Sequence, residues 1–135
     1  TPFTTVTNFG SGANTYYAAS GFAASITPKY NNSKIIITIM AGGWMKGNPG
    51  AIRAKILSGS RVVQLIGIYG YSTVGTTYVS SPFFIQAVDE TGDTSQQNYQ
   101  LWMATEANMA AADARINQTA ASVRSGTIIL QEIKV

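Results

Sequence analysis

The segment Lys34–Gly42 reads KIIITIMAG and is the stretch that decides the fold class. Branched Ile and Thr side chains favour strands because they pack well on a pleated surface. Successive side chains of a strand point to opposite faces. One face therefore carries Ile35, Ile37 and Ile39, and the other carries Ile36 and Met40. A strand that is apolar on both faces is typically buried on both sides. We predict that one face meets an opposing sheet and the other a neighbouring subunit.

Gly, Pro and Asn residues divide the rest of the chain into similar short runs rich in Ile, Val, Thr, Tyr and Phe. Strands at such regular spacing suggest a sandwich or a barrel. We predict an all-β, antiparallel β-sandwich of about eight strands over residues 15–135, after an extended lead over residues 1–14. The predicted strands are Thr15–Ala19, Phe22–Thr27, Lys34–Gly42, Ala51–Leu57, Arg61–Tyr69, Thr77–Val88, Asn98–Thr105 and Gly126–Ile133.

The segments between and within these strands carry further signals for loops, a turn, a bulge and a possible helix. Loops are predicted at Gly43–Gly50, Gly70–Thr76 and Asp89–Gln97, and Ser58-Gly59-Ser60 predicts a tight hairpin. Pro82 lies inside the sixth strand and implies an edge or a bulge, because proline lacks the N–H that a central strand needs. The Ala-rich segment Ala104–Arg115 is interpreted as a long excursion between strands, with a short helix as the alternative.

Composition excludes several classes of chemistry. The chain has 135 residues, with no Cys and no His. Disulfides, zinc–thiolate sites, Ser-His-Asp triads and Cys-His pairs are therefore impossible within it. Its nine Lys and Arg residues exceed its six Asp and Glu residues, but they are scattered, which argues against a nucleic-acid partner. The longest apolar run, Ile35–Gly43, is far below the roughly 20 residues that a membrane-spanning helix needs.

The acidic residues give little support for catalysis. Asp89, Glu90 and Asp93 fall in one predicted loop with Gly92, but their spacing does not match a calcium-binding loop. We interpret this cluster as a solvated turn and predict no metal and no cofactor. A glycosidase needs two carboxylates facing each other across a sugar, and no such pair is evident. We therefore predict a non-enzymatic protein, with a carbohydrate-active enzyme as the remote alternative.

Four aromatic residues are candidates for contact with a partner. Trp44, Tyr69, Tyr71 and Tyr78 lie in or beside predicted loops. Aromatic side chains in loops offer large, rigid contact area to a sugar or a protein at low entropic cost. The alternative is that they cap the ends of the core. Tyr99 and Trp102 point to opposite faces of the seventh strand, so at least one of them is expected in the core.

Several segments in order along the chain resemble small β domains of tailed-bacteriophage virion proteins, which often lie at the C-terminus of tail-fibre-like proteins. The resemblance runs from about Thr15 onward, and the Gly-rich segment Gly43–Gly50 departs from it. The matching segments are Ala24–Ile37 (ASITPKYNNSKIII), Pro82–Phe84 with the Asp89 loop, Asn98–Leu101 (NYQL), Arg115–Asn117 (RIN) and Ser125–Ile133 (SGTIILQEI).

This resemblance implies a virion component with a jelly-roll β-sandwich that assembles as a homotrimer, and it supplies no catalytic residues. Two functions follow from it. The first is a tail-fibre tip or receptor-binding domain that contacts a glycan or protein on the host surface. The second is a capsid decoration protein that binds other virion proteins on the exterior of the shell. The expected location is the virion in both cases.

Overall fold

The computed structural model describes residues 7–46, 52–68, 78–106, 114–117 and 125–135. Within these ranges the chain forms nine strands in two antiparallel sheets, and no helix. The predicted all-β antiparallel sandwich is confirmed. The strands are β1 (Thr7–Asn8), β2 (Tyr17–Ile26), β3 (Lys34–Lys46), β4 (Ile52–Ser58), β5 (Arg61–Ile68), β6 (Tyr78–Glu90), β7 (Gln97–Thr105), β8 (Ala114–Ile116) and β9 (Thr127–Ile133).

The first sheet is organised around β3, the strand that decides the fold class. One edge of β3 pairs with β6 along its whole length. Its other edge pairs with β9 over Lys34–Met40 and then with β8 over Gly43–Met45, and β8 in turn pairs with β1. Among the described residues β6 has no second neighbour, so Pro82 lies in an edge strand, as predicted.

The second sheet has the strand order β2-β7-β4-β5. The tight hairpin predicted between β4 and β5 is present, and Gly59 adopts a positive φ of 58° in it. The predicted alternation of β4 is also confirmed. Ile52, Ala54 and Ile56 are buried, whereas Arg53 is exposed and Lys55 is half-buried.

The core lies between the inner faces of the two sheets. Tyr99 belongs to it, so the expectation for the Tyr99–Trp102 pair is confirmed. Phe9 is also fully buried, and the segment before residue 15 therefore contributes to the sandwich. The largest buried apolar side chains are Phe9, Phe22, Ile35, Ile37, Ile39, Ile56, Tyr99, Leu101, Met103 and Ile116.

Two of the predicted boundaries are wrong at the N-terminal side. The segments Thr15–Ala19 and Phe22–Thr27 are not separate strands, because β2 runs through both. Its register with β7 shifts between Ala18 and Ala23, and Gly21 takes a positive φ of 83° there. The extra residues are accommodated as an irregularity of one strand, so the glycine does not end it.

Further along the chain, strands extend into segments predicted as loops. The backbone of β3 continues to Lys46, so the first half of the Gly43–Gly50 loop is strand. Strand β6 continues to Glu90, and the loop before β7 is shorter than predicted. In the excursion Ala104–Arg115, the described ends belong to β7 and β8, and residues 107–113 lie outside the described ranges. None of the described residues forms a helix of the length and apolarity that a membrane crossing requires.

Candidate functional site

The four candidate aromatics were placed in or beside loops by the sequence. Tyr69 and Tyr71 lie outside the described residues. The backbone of Trp44 lies in β3, opposite Ser80 and Arg115, so its predicted place in a loop is wrong. Tyr78 begins β6 opposite Lys46 and thus lies on the strand adjacent to that of Trp44. Contact of these four residues with a partner stays a prediction.

The outer face of the first sheet carries a group of exposed apolar side chains, here called the apolar outer face. Its five large members are 41–64% exposed. Register holds them together on three adjacent strands: Phe84 lies opposite Met40, and Ile129 lies opposite Thr38. Single exposed apolar residues are normal on a protein surface, whereas several on one face of one sheet form an unusually apolar surface. Its members are Met40, Phe84, Val88, Ile129 and Ile133.

The same face also carries polar side chains between the apolar ones, among them Thr38, Gln86 and the exposed Gln131, and Lys34 and Glu90 lie at one end of it. The Gln86 side-chain amide donates to the Thr38 hydroxyl at 3.4 Å. Lys34 and Glu90 form an ion pair at 2.8 Å on the same face of their strands. The surface can therefore be covered by a partner without stranding an unpaired charge at Lys34 or Glu90, which would be costly to bury.

The outer face of the second sheet has a different character. The ammonium of Lys55 lies 4.2 Å from the centre of the Tyr16 ring and 5.7 Å from the centre of the Trp102 ring. All three side chains are half-buried. A cation over aromatic faces at such distances is attracted by the negative charge of the ring faces. We call Tyr16, Lys55 and Trp102 the Lys55 cluster.

The strands beside the Lys55 cluster determine which side chains border it. Trp102 lies between Ala18 of β2 and Lys55 of β4, and Lys55 pairs in turn with Leu65 of β5. Gln100, two residues from Trp102 on the same face, donates its side-chain amide to the carbonyl oxygens of Ala19, Phe22 and Leu101.

A buried polar network joins the two sheets at one end of the core. Asp89 of β6 accepts two hydrogen bonds from the Arg61 guanidinium of β5, at 2.6 and 2.7 Å. The Tyr99 hydroxyl of β7 donates to the same carboxylate at 2.8 Å. The interpretation of Asp89 as part of a solvated turn is wrong, because its place in β6 directs the carboxylate into the interior.

The pKa values in this network follow from burial and hydrogen bonding. Burial by itself raises the pKa of Asp89, but hydrogen bonds from Arg61 and Tyr99 outweigh it and hold that pKa below its ordinary value. Burial and the bond to Asp89 raise the pKa of the Tyr99 hydroxyl far above its usual range. Asp89 is therefore a structural anion at neutral pH and a poor proton donor.

The other described carboxylates also have partners. Glu132 accepts from the Ser33 hydroxyl at 2.5 Å and from the Lys29 backbone N–H at 2.6 Å, and these bonds lower its pKa. Asp93 accepts from the hydroxyl and backbone N–H of Ser95, which lower its pKa as well. Glu106 pairs with Arg53 at 2.7 Å. Over the described ranges, no group of three acidic side chains converges on a point where a metal ion could be held.

Sequence reasoning detected one strand of the apolar outer face and missed the other two. It recognised apolar residues on both faces of β3. The same signal is present in β6, where Phe84 and Val88 alternate with buried Ile85 and Ala87, and in β9 at Ile129 and Ile133. The Lys55 cluster had no comparable signal, because its members come from three segments far apart in the chain.

Comparison with known proteins adds no family assignment. No protein-family model and no curated protein matches this chain.

Proposed function

We propose that this chain is a non-enzymatic structural protein of a bacteriophage virion, a trimeric tail-fibre tip or receptor-binding domain that self-associates through the apolar outer face. The observation that carries the proposal is the set of five large apolar side chains, 41–64% exposed, on one face of one sheet. Solvation of such a set is unfavourable, and burial stabilises by about 25 cal/mol per Å² of apolar surface.

A second copy of the chain is the occupant that this surface suits best. The face combines five exposed large apolar side chains with a charge pair, Lys34 and Glu90, that is already neutralised, and interfaces between identical subunits are more apolar than other interfaces. Closed cyclic symmetry covers every copy of the face and leaves no open end for further growth. The resemblance to phage virion domains favours three copies.

The strand order supports the finer proposal of a jelly roll. Successive segments pass between the sheets: β1 and β3 belong to the first, β2 and β4 to the second, and β6 and β7 repeat the exchange. Crossings of this kind are typical of the Greek keys from which a jelly roll is built. Jelly rolls are common in viral proteins, which agrees with the proposed location.

Light scattering coupled to size-exclusion chromatography tests the assembly. We expect the wild-type protein at micromolar concentration to have three times the chain mass of 14.3 kDa. Phe84→Glu places a charge on the most exposed side chain of the apolar outer face and should reduce the mass to that of one chain. Unchanged far-UV circular dichroism would show that the sandwich still forms, because Phe84 points away from the core.

Leu65→Glu is the matched control. Leu65 is 63% exposed, against 64% for Phe84, but it lies on the second sheet. It should leave the trimer intact. A monomeric wild-type protein, or equal dissociation by both variants, would contradict self-association through this face.

Immunogold labelling of intact virions tests the location and separates the two virion functions. Label at the tips of tail fibres would support the receptor-binding domain. Label spread over the capsid would replace it with the decoration protein, and virions without any label would contradict a virion role.

A further inference from the structure

We infer that the Lys55 cluster is a binding site for an acidic saccharide, a sugar ring that bears a carboxylate. The site lies on the second sheet, and none of its residues belongs to the apolar outer face. The saccharide site is therefore independent of self-association. Its residues differ from the four aromatic residues that the sequence indicated.

Lys55 carries a charge that no described carboxylate neutralises. Each described carboxylate is engaged elsewhere: Asp89 with Arg61, Glu90 with Lys34, Glu106 with Arg53, and Glu132 and Asp93 with serines. Within the described ranges no carboxylate lies within salt-bridge distance of Lys55. The rings of Tyr16 and Trp102 attract its ammonium but accept its N–H groups only weakly, so a ligand carboxylate would be the strongest partner it could gain.

The aromatic rings of Tyr16 and Trp102 are suited to contact with a sugar. A pyranose ring presents C–H groups on its faces, and these pack against aromatic rings in the manner of other apolar contacts. Trp102 is half-buried on β7, an interior strand of the second sheet, and pairs with Ala18 of β2 and Lys55 of β4. A half-buried ring on an interior strand has fewer rotamers to lose than an exposed one, which lowers the entropic cost of binding.

The affinity of this site depends on how many copies of it a ligand engages. A half-buried cluster on the outer face of a sheet would cover only part of a single sugar, so one site binds weakly. A polymeric saccharide that engages several copies at once binds far more tightly through effective concentration. A repeating acidic polysaccharide is therefore the form of ligand that this site fits.

Tryptophan fluorescence of the full chain provides the test. Polygalacturonate is the probe, and the controls are dextran, which is neutral, and polyglutamate, which is acidic but has no sugar ring. We expect polygalacturonate alone to change the emission, and Trp102→Phe to abolish that change. Lys55→Gln should weaken the apparent affinity at least about tenfold, as loss of a charge-assisted hydrogen bond implies. Lys55→Arg should preserve most of it.

Lys134→Gln is the matched control. Lys134 lies 4.3 Å over the ring of Tyr30, so the variant removes the same charge from another cation–aromatic contact. It should bind polygalacturonate like the wild type. Circular dichroism of each variant confirms that the fold is retained.

Three results would overturn the proposal: no response to polygalacturonate, an equal response to polyglutamate, or an equal loss of affinity in Lys55→Gln and Lys134→Gln. A wild-type protein that is monomeric yet shows the Trp102 response, with lower affinity, would leave the saccharide site in place and contradict only the trimer.

Discussion

Asp89 and Glu90 are consecutive residues of β6, and each forms an ion pair at nearly the same distance. Asp89 meets Arg61 at 2.6 Å and is 4% exposed, whereas Glu90 meets Lys34 at 2.8 Å and is 72% exposed. The pleat of one strand sends one carboxylate into the core and its neighbour to the apolar outer face.

Their surroundings make these two pairs unequal. The Asp89 pair crosses from β6 to β5 and so connects the two sheets, with a third bond from Tyr99. The Glu90 pair joins neighbouring strands of one sheet in the presence of water, which competes for both charges. Distance alone is therefore a poor guide to the energetic value of an ion pair, and substitutions in the two pairs should differ in their effect on the free energy of unfolding.

The largest effect is expected from Asp89→Asn. The change keeps the size of the side chain and removes the anion that Arg61 and Tyr99 surround. Breaking a buried ion pair costs roughly 3–5 kcal/mol. Since Arg61 is 49% exposed and can regain water, we expect a loss near the lower end, about 3 kcal/mol of unfolding free energy. Urea unfolding at a fixed protein concentration measures it.

Asp89→Asn should also change how the free energy of unfolding depends on pH. The pKa of Asp89 lies below its ordinary value of 3.8 in the folded chain, so its ionisation favours folding above that pH. The contribution is lost as the pH falls through the folded pKa. Asp93 and Glu132 shift in the same direction, so the wild type loses stability in acid through several groups. Asp89→Asn should flatten part of that loss below about pH 4. If the free energy of unfolding of Asp89→Asn decreased in acid as steeply as that of the wild type, the role of Asp89 would be contradicted.

A smaller effect is expected from Tyr99→Phe. The variant keeps the buried ring and removes only the hydroxyl that donates to Asp89 at 2.8 Å. A hydrogen bond to a charged group contributes roughly 1.5–3 kcal/mol, and Arg61 still satisfies the carboxylate, so we expect a loss of about 1.5 kcal/mol. Thermal unfolding followed by circular dichroism would detect it. A loss as large as that of Asp89→Asn would show that the hydroxyl, and not the ion pair, dominates the network.

The smallest effect is expected from Glu90→Gln, the matched control for Asp89→Asn on the adjacent residue. Exposed ion pairs contribute about 0–1 kcal/mol, and this one should contribute no more than about 0.5 kcal/mol. Both variants are compared in one urea series. Equal losses of unfolding free energy at Asp89 and Glu90 would contradict the expected difference between the inner and outer faces of β6.

The local pattern predicted most of the strands, because strand propensity and turn residues act over a few neighbouring positions. It failed where the local signal was ambiguous. Gly21 looked like a breaker but lies in the irregular part of β2, and the glycines after Met40 looked like a loop but continue β3. Gly42 and Gly43 pair with β6, which outweighs their low strand propensity, whereas β2 pairs with β7 on both sides of the irregular segment that contains Gly21.

The candidate site was less accessible to sequence reasoning. Apolar residues on both faces of β3 predicted that its second face meets a neighbouring subunit, and exposed apolar side chains of β6 and β9 share that face. The Lys55 cluster could not be anticipated, since its residues lie on separate segments that meet only when β2, β7 and β4 pair.

The sequence by itself determined the all-β class, the alternation of β4 and the absence of histidine and cysteine chemistry, because composition and short-range periodicity carry that information. Only the tertiary structure decided that Asp89 is a buried bridge between sheets, that five apolar side chains share one outer face, and that Lys55 lies over two aromatic rings. Each of these depends on the register between strands that are distant in sequence, and register is set when the whole core packs.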